Sequence, residues 1–149
     1  MTYLLDGNVL SERWKPDPDE RIVAFMNRGG WLVPSPVIAE IQEGAEADPS
    51  EAKKIRINSL LDDFFKEFGD LLILPWDGET ARTWGRLKRS DEVKRQPQPL
   101  WDSLIYAMAV RYGLIVATRN EKDFRHAKTF NPWRDEPEKS KSSSSEPPA

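Results

Sequence analysis

The sequence predicts an α/β fold in which helices flank a mostly parallel central sheet as a three-layer sandwich. Short apolar segments, typical of buried parallel strands, alternate along the chain with longer amphipathic segments. Such alternation is the pattern that strand–helix–strand crossovers leave in a sequence. Hydrophobic residues make up 38% of the 149 residues, which is enough for one core and not for two.

Apolar runs bounded by turn residues predict the strands. They lie at residues 2–6, 31–33, 71–74 and 114–118, with a last edge at 129–133. A Gly-Asn pair stops the first run, and Gly, Pro or charged residues bound the others. Because the runs are short and apolar, we expect strands that are buried on both faces of the sheet.

Segments with apolar residues at helical spacing predict the helices. They lie at residues 19–28, 35–44, about 50–67, about 77–94 and 101–112. Ser35 is a typical N-cap and Pro36 a typical first helical residue, whereas Gly29 is typical of a helix end. The stripe predicted to be buried on the helix at 50–67 consists of Ile55, Leu60, Leu61, Phe64, Phe65 and Phe68.

Residues 1–134 are predicted to form one domain, and residues 135–149 a disordered tail. The tail ends in KSKSSSSEPPA and contains almost nothing that can pack into a core. The N-terminus lacks the basic region and apolar run of a signal peptide, and no apolar run has the length of a membrane span. We therefore expect a cytoplasmic protein without a membrane partner.

Composition excludes several kinds of chemistry. Cysteine is absent and histidine occurs once, at His126, so disulfides, thiolate nucleophiles, Cys/His zinc sites and paired catalytic histidines are ruled out. The usual glycine-rich phosphate-binding motifs are also missing. With a net charge of −3, the chain needs a local basic patch or a bound cation if it is to bind nucleic acid.

Polar side chains gather where the predicted strands end. Asp6 closes the first strand, and Asn120 and Asp123 follow the fourth. Glu40 and Asp102 lie in the opening turns of two helices, where side chains lean back toward the strand ends. Because ligands of open α/β sheets bind beyond the carboxyl ends of the strands, we expect these five groups to converge.

Each of these acids alone has an ordinary structural interpretation as a helix cap, a partner of the helix dipole or a turn residue. Together, however, several carboxylates in one cleft repel one another unless a cation is bound. Oxygen ligands without His or Cys favour Mg²⁺ or Mn²⁺ over zinc. Ions held in this way activate water and stabilise the charge of a phosphodiester during cleavage, so the pattern indicates phosphodiester hydrolysis.

Four motifs occur in order: LLDGNVLSE at the start, SPVIAEIQEG with Glu40, WDSLIYAMA with Asp102, and VATRNEKDF followed by FNPW. With these motifs the chain resembles PIN-domain ribonucleases, specifically the VapC and FitB-like toxins of bacterial type II toxin–antitoxin systems. The resemblance covers about residues 1–133. It implies a PIN-like, Rossmann-like fold, Mg²⁺- or Mn²⁺-dependent endonucleolytic cleavage of RNA, homodimerisation, and neutralisation by a small antitoxin protein.

The resemblance also implies roles for individual residues. Asp6, Glu40 and Asp102 match the three central acids of the family. Asn120 falls where many members have a fourth Asp and others have Asn. Thr118 matches a hydroxyl residue that borders the site in similar proteins.

The first hypothesis is a metal-dependent endoribonuclease that uses a metal-activated water and leaves a 5′-phosphate and a 3′-hydroxyl. The catalytic acids would be Asp6, Glu40 and Asp102. The metal ligands would be Asp6, Glu40, Asp102, Asn120 and Asp123. The substrate contacts would be Arg13, Thr118 and Arg119, and residues 82–95, with six Lys or Arg and two acids, also suit RNA phosphates.

Two alternatives stay open. LLDGN superficially resembles the opening of phosphohydrolases that use an Asp nucleophile, although Asn8 stands where those enzymes need a second Asp. A catalytically weak PIN-like module that binds another protein is the other alternative. Gly7 favours it, because it stands where Thr is usual in the family and removes a hydroxyl beside Asp6.

Overall fold

The structure of the protein is a computed structural model, which describes residues 1–137. Its central sheet has five strands in the order β3-β2-β1-β4-β5. The strands are β1 (Tyr3–Leu5), β2 (Trp31–Pro34), β3 (Ile73–Leu74), β4 (Ile115–Ala117) and β5 (Thr129–Phe130). All four pairings between these strands are parallel. The predicted α/β sandwich is therefore confirmed. The part of the predicted disordered tail at 138–149 lies outside the described residues.

Helices flank this sheet. They are α1 (Gly7–Arg13), α2 (Glu20–Arg28), α3 (Ser35–Ala47), α4 (Glu51–Phe68), α5 (Gly78–Lys88), α6 (Asp91–Arg95) and α7 (Leu100–Tyr112), and a 3₁₀ helix spans Glu121–Phe124. Among the helices of residues 1–137, none combines the length and the apolar character that a bilayer crossing needs.

The core is built on the two central strands. Leu4, Leu5 and Val116 are completely buried between the helical layers, and Ile105 and Met108 of α7 are completely buried as well. Burying one such side chain contributes about 1.5–3 kcal/mol, so strands of only three residues suffice when every side chain is enclosed. The strands thereby place their carboxyl ends at fixed points along one edge of the sheet.

The structure contains one helix that the sequence did not predict. The Gly-Asn pair after Asp6, taken as the end of a strand, instead starts α1. Oδ1 of Asp6 accepts a hydrogen bond of 2.7 Å from the Gly7 amide and so caps the helix. Val9 and Leu10 then enter the core. A helix of seven residues is too short to leave a periodic pattern that distinguishes it from a turn.

Other predicted boundaries were wrong in detail. The helix predicted at 77–94 is two helices, because the Ser90 side chain accepts from the Val93 amide and caps a new one. Ser35 is the first residue of α3 and not its cap. On α4, Leu61 and Phe64 are buried as predicted, whereas Ile55 and Phe65 are exposed. The buried stripe of α4 therefore contains fewer residues than the hydrophobic pattern of the sequence predicts.

Candidate active site at the carboxyl edge of the sheet

The register of β1 and β4 sets the centre of the site. Leu5 lies opposite Ala117 in this parallel pair. The Asp6 amide donates to the Ala117 carbonyl at 2.9 Å, so the ladder continues one residue past the strand. Asp6 and Thr118 consequently leave the sheet side by side, although 112 positions separate them in sequence.

Asp6 is buried and held from several sides. Its Oδ1 accepts from the Gly7 amide, and its Oδ2 accepts from the Thr118 hydroxyl at 2.8 Å and from Nδ2 of Asn8 at 3.3 Å. Burial raises the pKa of this carboxyl, and the negative charge of Asp123 raises it further, while the hydrogen bonds from Thr118 and Gly7 oppose both effects. The site therefore fixes the position of the carboxylate without neutralising its charge.

Glu40 of α3 and Asp102 of α7 face the same space. Burial, followed by the charges of Asp6, Asp123 and Glu40, raises the pKa of Asp102 to about 7. The pKa of Glu40 is raised by burial and by the charges of Asp6 and Glu43. Between residues 1 and 137, no hydrogen bond or salt bridge reaches either carboxylate. These acids consequently repel one another in the absence of a cation.

The acids line one cleft of about 510 Å³. Asp6, Glu40, Asp102 and Asn120 form one part of its wall, as the sequence predicted. The rest of the wall comes from α3, α4 and the segment before α7: Ile41, Gly44, Ala45, Asp48, Lys53, Ile57, Pro99 and Trp101 contribute to it. The cleft is therefore acidic at the strand ends and of mixed character toward α4.

Four of the predicted site residues lie outside the cleft wall, and two of them, Asp123 and Arg13, line other cavities. Asp123 lines a neighbouring cavity of about 240 Å³, and its carbonyl accepts from Nε2 of Gln98, but its charge still acts on Asp6 and Asp102. Arg13 lines a separate cavity of about 290 Å³ beside Trp14. The structure thus brings Asp123 near the acids and places Arg13 away from them.

The predicted substrate contacts Thr118 and Arg119 differ in accessibility. Thr118 is completely buried, donates to Asp6 and accepts from the Asn120 amide at 2.9 Å, so it orients the site from beneath. Arg119 is exposed, and its guanidinium lies 4.8 Å from the ring centre of Trp133. Only Arg119 of this pair is accessible to a ligand.

Sequence reasoning missed several residues of the cleft. Asn8 stands two positions after Asp6 and donates a hydrogen bond to it. Asn8 lines the cleft because it lies in the first turn of α1, so predicting that helix would have identified it. Ser11 lies one turn further on the same helix. Lys53 is brought in by the path of α4 across the fold, and no local pattern signals its position.

Gly7 makes room for Glu40. A Cβ atom added at Gly7 would lie 3.2 Å from Oε1 of Glu40 and 3.8 Å from a methyl group of Val37. The backbone here is not left-handed, so a larger residue would meet no conformational strain, but Oε1 of Glu40 would have to shift by a few tenths of an ångström to admit its Cβ atom.

The acidic part of the cleft offers carboxylate and amide oxygens as ligands for a divalent cation. Carboxylate and amide oxygens are the ligands that Mg²⁺ and Mn²⁺ prefer, and the uncompensated charge of Asp6, Glu40 and Asp102 favours a cation. As the side chains stand in residues 1–137, no three Asp, Glu or His side chains are close enough to hold one ion. The residues fit Mg²⁺ in kind, since Mg²⁺ is commonly held by one or two carboxylates and several waters.

Comparison with known proteins identifies relatives along most of the chain. A VapC ribonuclease, Y4jK, of Sinorhizobium fredii is 28% identical over 141 residues, which span 87% of this chain and 96% of the relative. Toxin FitB of Neisseria gonorrhoeae is 29% identical over 137 residues, which span 89% and 99%. A solved structure of FitAB bound to the IR36 DNA fragment matches with a TM-score of 0.76 and 26% identity, covering 91% of this chain and 98% of that one.

The family follows from the extent of a further match. The sequence profile of the PIN domain matches residues 3–129. This range includes strands β1 to β4, the first residue of β5 and every acid of the cleft. The chain therefore belongs to the PIN domain family.

Proposed function

We propose that this PIN-domain protein is a Mg²⁺- or Mn²⁺-dependent endoribonuclease and the toxin of a type II toxin–antitoxin pair. The observation that carries the proposal is the set of Asp6, Glu40, Asp102 and Asn120 on one cleft, with three carboxyls of raised pKa. The relatives named VapC ribonuclease and toxin FitB support the same activity.

In this proposal, Asp6 and Asp102 are the principal metal ligands. Asn120 and Asp123 supply a further ligand and further negative charge. When bound, the cation offsets the charge of the scissile phosphate and activates a water. Thr118 and Asn8 keep Asp6 in position through their hydrogen bonds to its Oδ2.

Glu40 is the proposed ligand or base. Its carboxylate receives no hydrogen bond from residues 1–137, and its pKa is raised, which makes it a better proton acceptor than an ordinary glutamate. It would orient the attacking water and take its proton at Oε1 or Oε2. Attack on phosphorus then leaves a 5′-phosphate and a 3′-hydroxyl.

Apart from the acidic residues of the cleft, the proposed contacts to RNA are mainly basic side chains. Arg119 is exposed next to Asn120 and can reach a backbone phosphate. The helices α5 and α6 carry the basic stretch at residues 82–95. Arg13, in its separate cavity, would contact RNA only beyond the cleft. Thr118 contributes through Asp6, because it is buried.

The proposed partners are a small antitoxin protein and a second copy of this chain, in the cytoplasm. The FitAB structure on DNA and the relative named toxin FitB support an antitoxin. Exposed apolar side chains, including Leu71, Leu100 and Val110, provide contact area for such partners.

The test is cleavage of purified tRNA and of a structured rRNA fragment, with Mg²⁺, Mn²⁺ and EDTA arms and the Asp102→Asn variant as control. We expect discrete 5′-phosphorylated products that require metal and disappear in the variant. Equal cleavage by Asp102→Asn, or cleavage in EDTA, would contradict the proposed chemistry. Metal binding without cleavage of either RNA would favour the protein-binding alternative.

A further inference from the structure

The half of the cleft toward α4 has a composition of its own. Its wall contains the apolar side chains of Ile41, Ala45 and Ile57, the bare backbone of Gly44, and the ion pair of Asp48 and Lys53. A hydrated ion with six waters occupies about 200 Å³ at about 30 Å³ per water, whereas the whole cleft measures about 510 Å³. More than half of the cleft is therefore available to something other than a cation.

Lys53 is held at this half by the turn between α3 and α4. Oδ1 of Asp48 accepts from the Ser50 amide at 2.8 Å, and its Oδ2 pairs with Nζ of Lys53 at 3.2 Å. The Ser50 hydroxyl in turn accepts from the Lys53 amide at 3.2 Å. Within residues 1–137, Lys53 is the one Lys or Arg that lines the cleft. The turn thus holds the Lys53 ammonium at the cleft wall, paired there with the Asp48 carboxylate.

The ammonium of Lys53 is free to change partner. Its side chain is 62% exposed, and the side chain of Asp48 is 18% exposed. An ion pair with so exposed a lysine is weak, so a phosphate that enters the cleft can compete with Asp48 for Nζ. The side chains of Ile41, Ala45 and Ile57 provide an uncharged part of the same cleft wall, against which a nucleobase can lie.

We propose that the α4 half of the cleft binds one unpaired nucleotide of the RNA, next to the phosphate that is cleaved. Nζ of Lys53 contacts the backbone phosphate of this nucleotide, and its base lies against Ile41 and Ile57. The nucleotide must be unpaired, because a base within a helix cannot present its face to a protein wall. This inference rests on the proposed ribonuclease function, and it adds a nucleotide subsite with Lys53 as its phosphate-binding residue.

The first experiment measures RNA affinity separately from cleavage. Lys53→Gln and the matched control Lys54→Gln are placed in the Asp102→Asn background in Mg²⁺. Fluorescence anisotropy then follows a labelled single strand of about twelve nucleotides. We expect Lys53→Gln to weaken binding roughly fivefold and to lower the slope of log K against log salt by about 0.7, the value for one lost phosphate contact on a single strand. Lys54→Gln, which does not line the cleft, should change neither quantity.

A second variant separates phosphate binding from support of the turn. Asp48→Asn keeps an oxygen acceptor for the Ser50 amide and removes the charge that competes for Nζ. We expect this variant to bind the RNA more tightly. If Lys53 serves only to hold the turn, then Asp48→Asn and Lys53→Gln will both lower the melting temperature and weaken binding together, and the inference is overturned.

The base contact is tested with an RNA in which abasic sites replace the bases. Ile57→Ala should weaken binding of the intact strand and leave binding of the abasic strand unchanged. An equal loss with both strands would overturn the apolar contact. Each remaining result has one interpretation. Cleavage by the wild type with an unchanged salt slope in Lys53→Gln overturns the subsite alone, and a Lys53-dependent slope without wild-type cleavage overturns the ribonuclease alone.

Discussion

Asp6 and Asp77 both cap helices, yet the charges around them differ. Each precedes a helix and caps it: Oδ1 of Asp6 accepts from the Gly7 amide at 2.7 Å, and Oδ1 of Asp77 accepts from the Thr80 amide at 2.9 Å. Each also accepts from a completely buried threonine hydroxyl, from Thr118 in one case and from Thr80 in the other. By capping geometry alone the two aspartates are alike.

They differ in the charge that faces them. Arg111 donates to Asp77 at 2.5 Å, and this contact, with the Thr80 amide, lowers the pKa of Asp77 to about 2. Asp6 has no such partner among residues 1–137, and burial and Asp123 raise its pKa. The charge of Asp77 is already balanced by Arg111, so this aspartate stabilises the fold. The charge of Asp6 is not balanced by a basic side chain, so this aspartate can attract a cation from solution. The neighbouring charge, and not the cap itself, distinguishes a structural aspartate from a functional one.

The largest effect expected from this comparison is on cleavage. Asp6→Asn keeps the acceptor for the Gly7 amide but removes a metal ligand, so kcat should fall by about 100- to 1000-fold, which corresponds to the loss of several kcal/mol of charge stabilisation in the transition state. Asp77→Asn should cleave at the wild-type rate, while its melting temperature falls because Arg111 loses its ion pair. Rates on a defined RNA, with circular dichroism to check folding, measure both.

The control for Asp6→Asn and Asp77→Asn is the affinity for Mg²⁺, measured by titration calorimetry. Asp77→Asn should retain the wild-type affinity for Mg²⁺, and Asp6→Asn should lose it. Equal activity of the two variants would show that the two caps are functionally equivalent and would overturn the distinction drawn here.

A second prediction concerns the pH dependence of stability at Asp102. The pKa of this carboxyl is about 7 in the folded protein against an ordinary value of 3.8, so the folded chain keeps a proton that the unfolded chain releases between these values. The contribution of Asp102 to the free energy of unfolding therefore falls as pH rises from about 4 to about 7. In EDTA at about pH 8, Asp102→Asn should be more stable than the wild type by about 1–2 kcal/mol, after allowance for solvent screening.

Denaturant unfolding at several pH values measures this effect. The difference between Asp102→Asn and the wild type should vanish below about pH 4, where the carboxyl is protonated in both states. Added Mg²⁺ should stabilise the wild type and not the variant, because it binds the ionised carboxylate. A variant less stable than the wild type at high pH without metal would show that the acids do not repel one another.

A third prediction concerns the two buried threonines. Thr118→Val and Thr80→Val each remove a hydroxyl that donates to a carboxylate, and each should cost about 1–3 kcal/mol of stability. Thr118→Val should also lower kcat about tenfold, because Asp6 loses the hydroxyl that orients it, whereas Thr80→Val should leave kcat unchanged. Melting curves and steady-state rates on one RNA separate the two effects. A loss of activity in both variants would assign it to general loosening of the fold.

Much of the fold and of the acidic part of the site could be predicted from the sequence, since both follow from local patterns and one topological rule. Short apolar runs mark the strands, and Asp6, Glu40, Asp102 and Asn120 were predicted to meet because the carboxyl ends of parallel strands share an edge. Asp123 was predicted to be a metal ligand, and its assignment as one stays a prediction.

The rest depends on three-dimensional placement that local patterns do not record. The helix α1 was missed because Asp6 both ends a strand and caps a helix, and the capping bond becomes visible only in the fold. Lys53 reaches the cleft because α4 packs along α3, a contact between two helices that neither segment encodes alone. The position of Arg13, in a cavity away from the acids, likewise follows from the direction in which α1 runs.

The register between β1 and β4 has a consequence for changes in chain length. Successive residues of a strand advance about 3.3 Å and point to opposite faces. Inserting or deleting one residue in either strand would therefore turn Asp6 away from Thr118, even if every side chain of the core were retained. In a library of single-residue insertions, activity should accordingly be lost throughout residues 3–6 and 115–118. At loop positions such as residues 16–18, the chain should accept a single-residue insertion and keep its rate of cleavage.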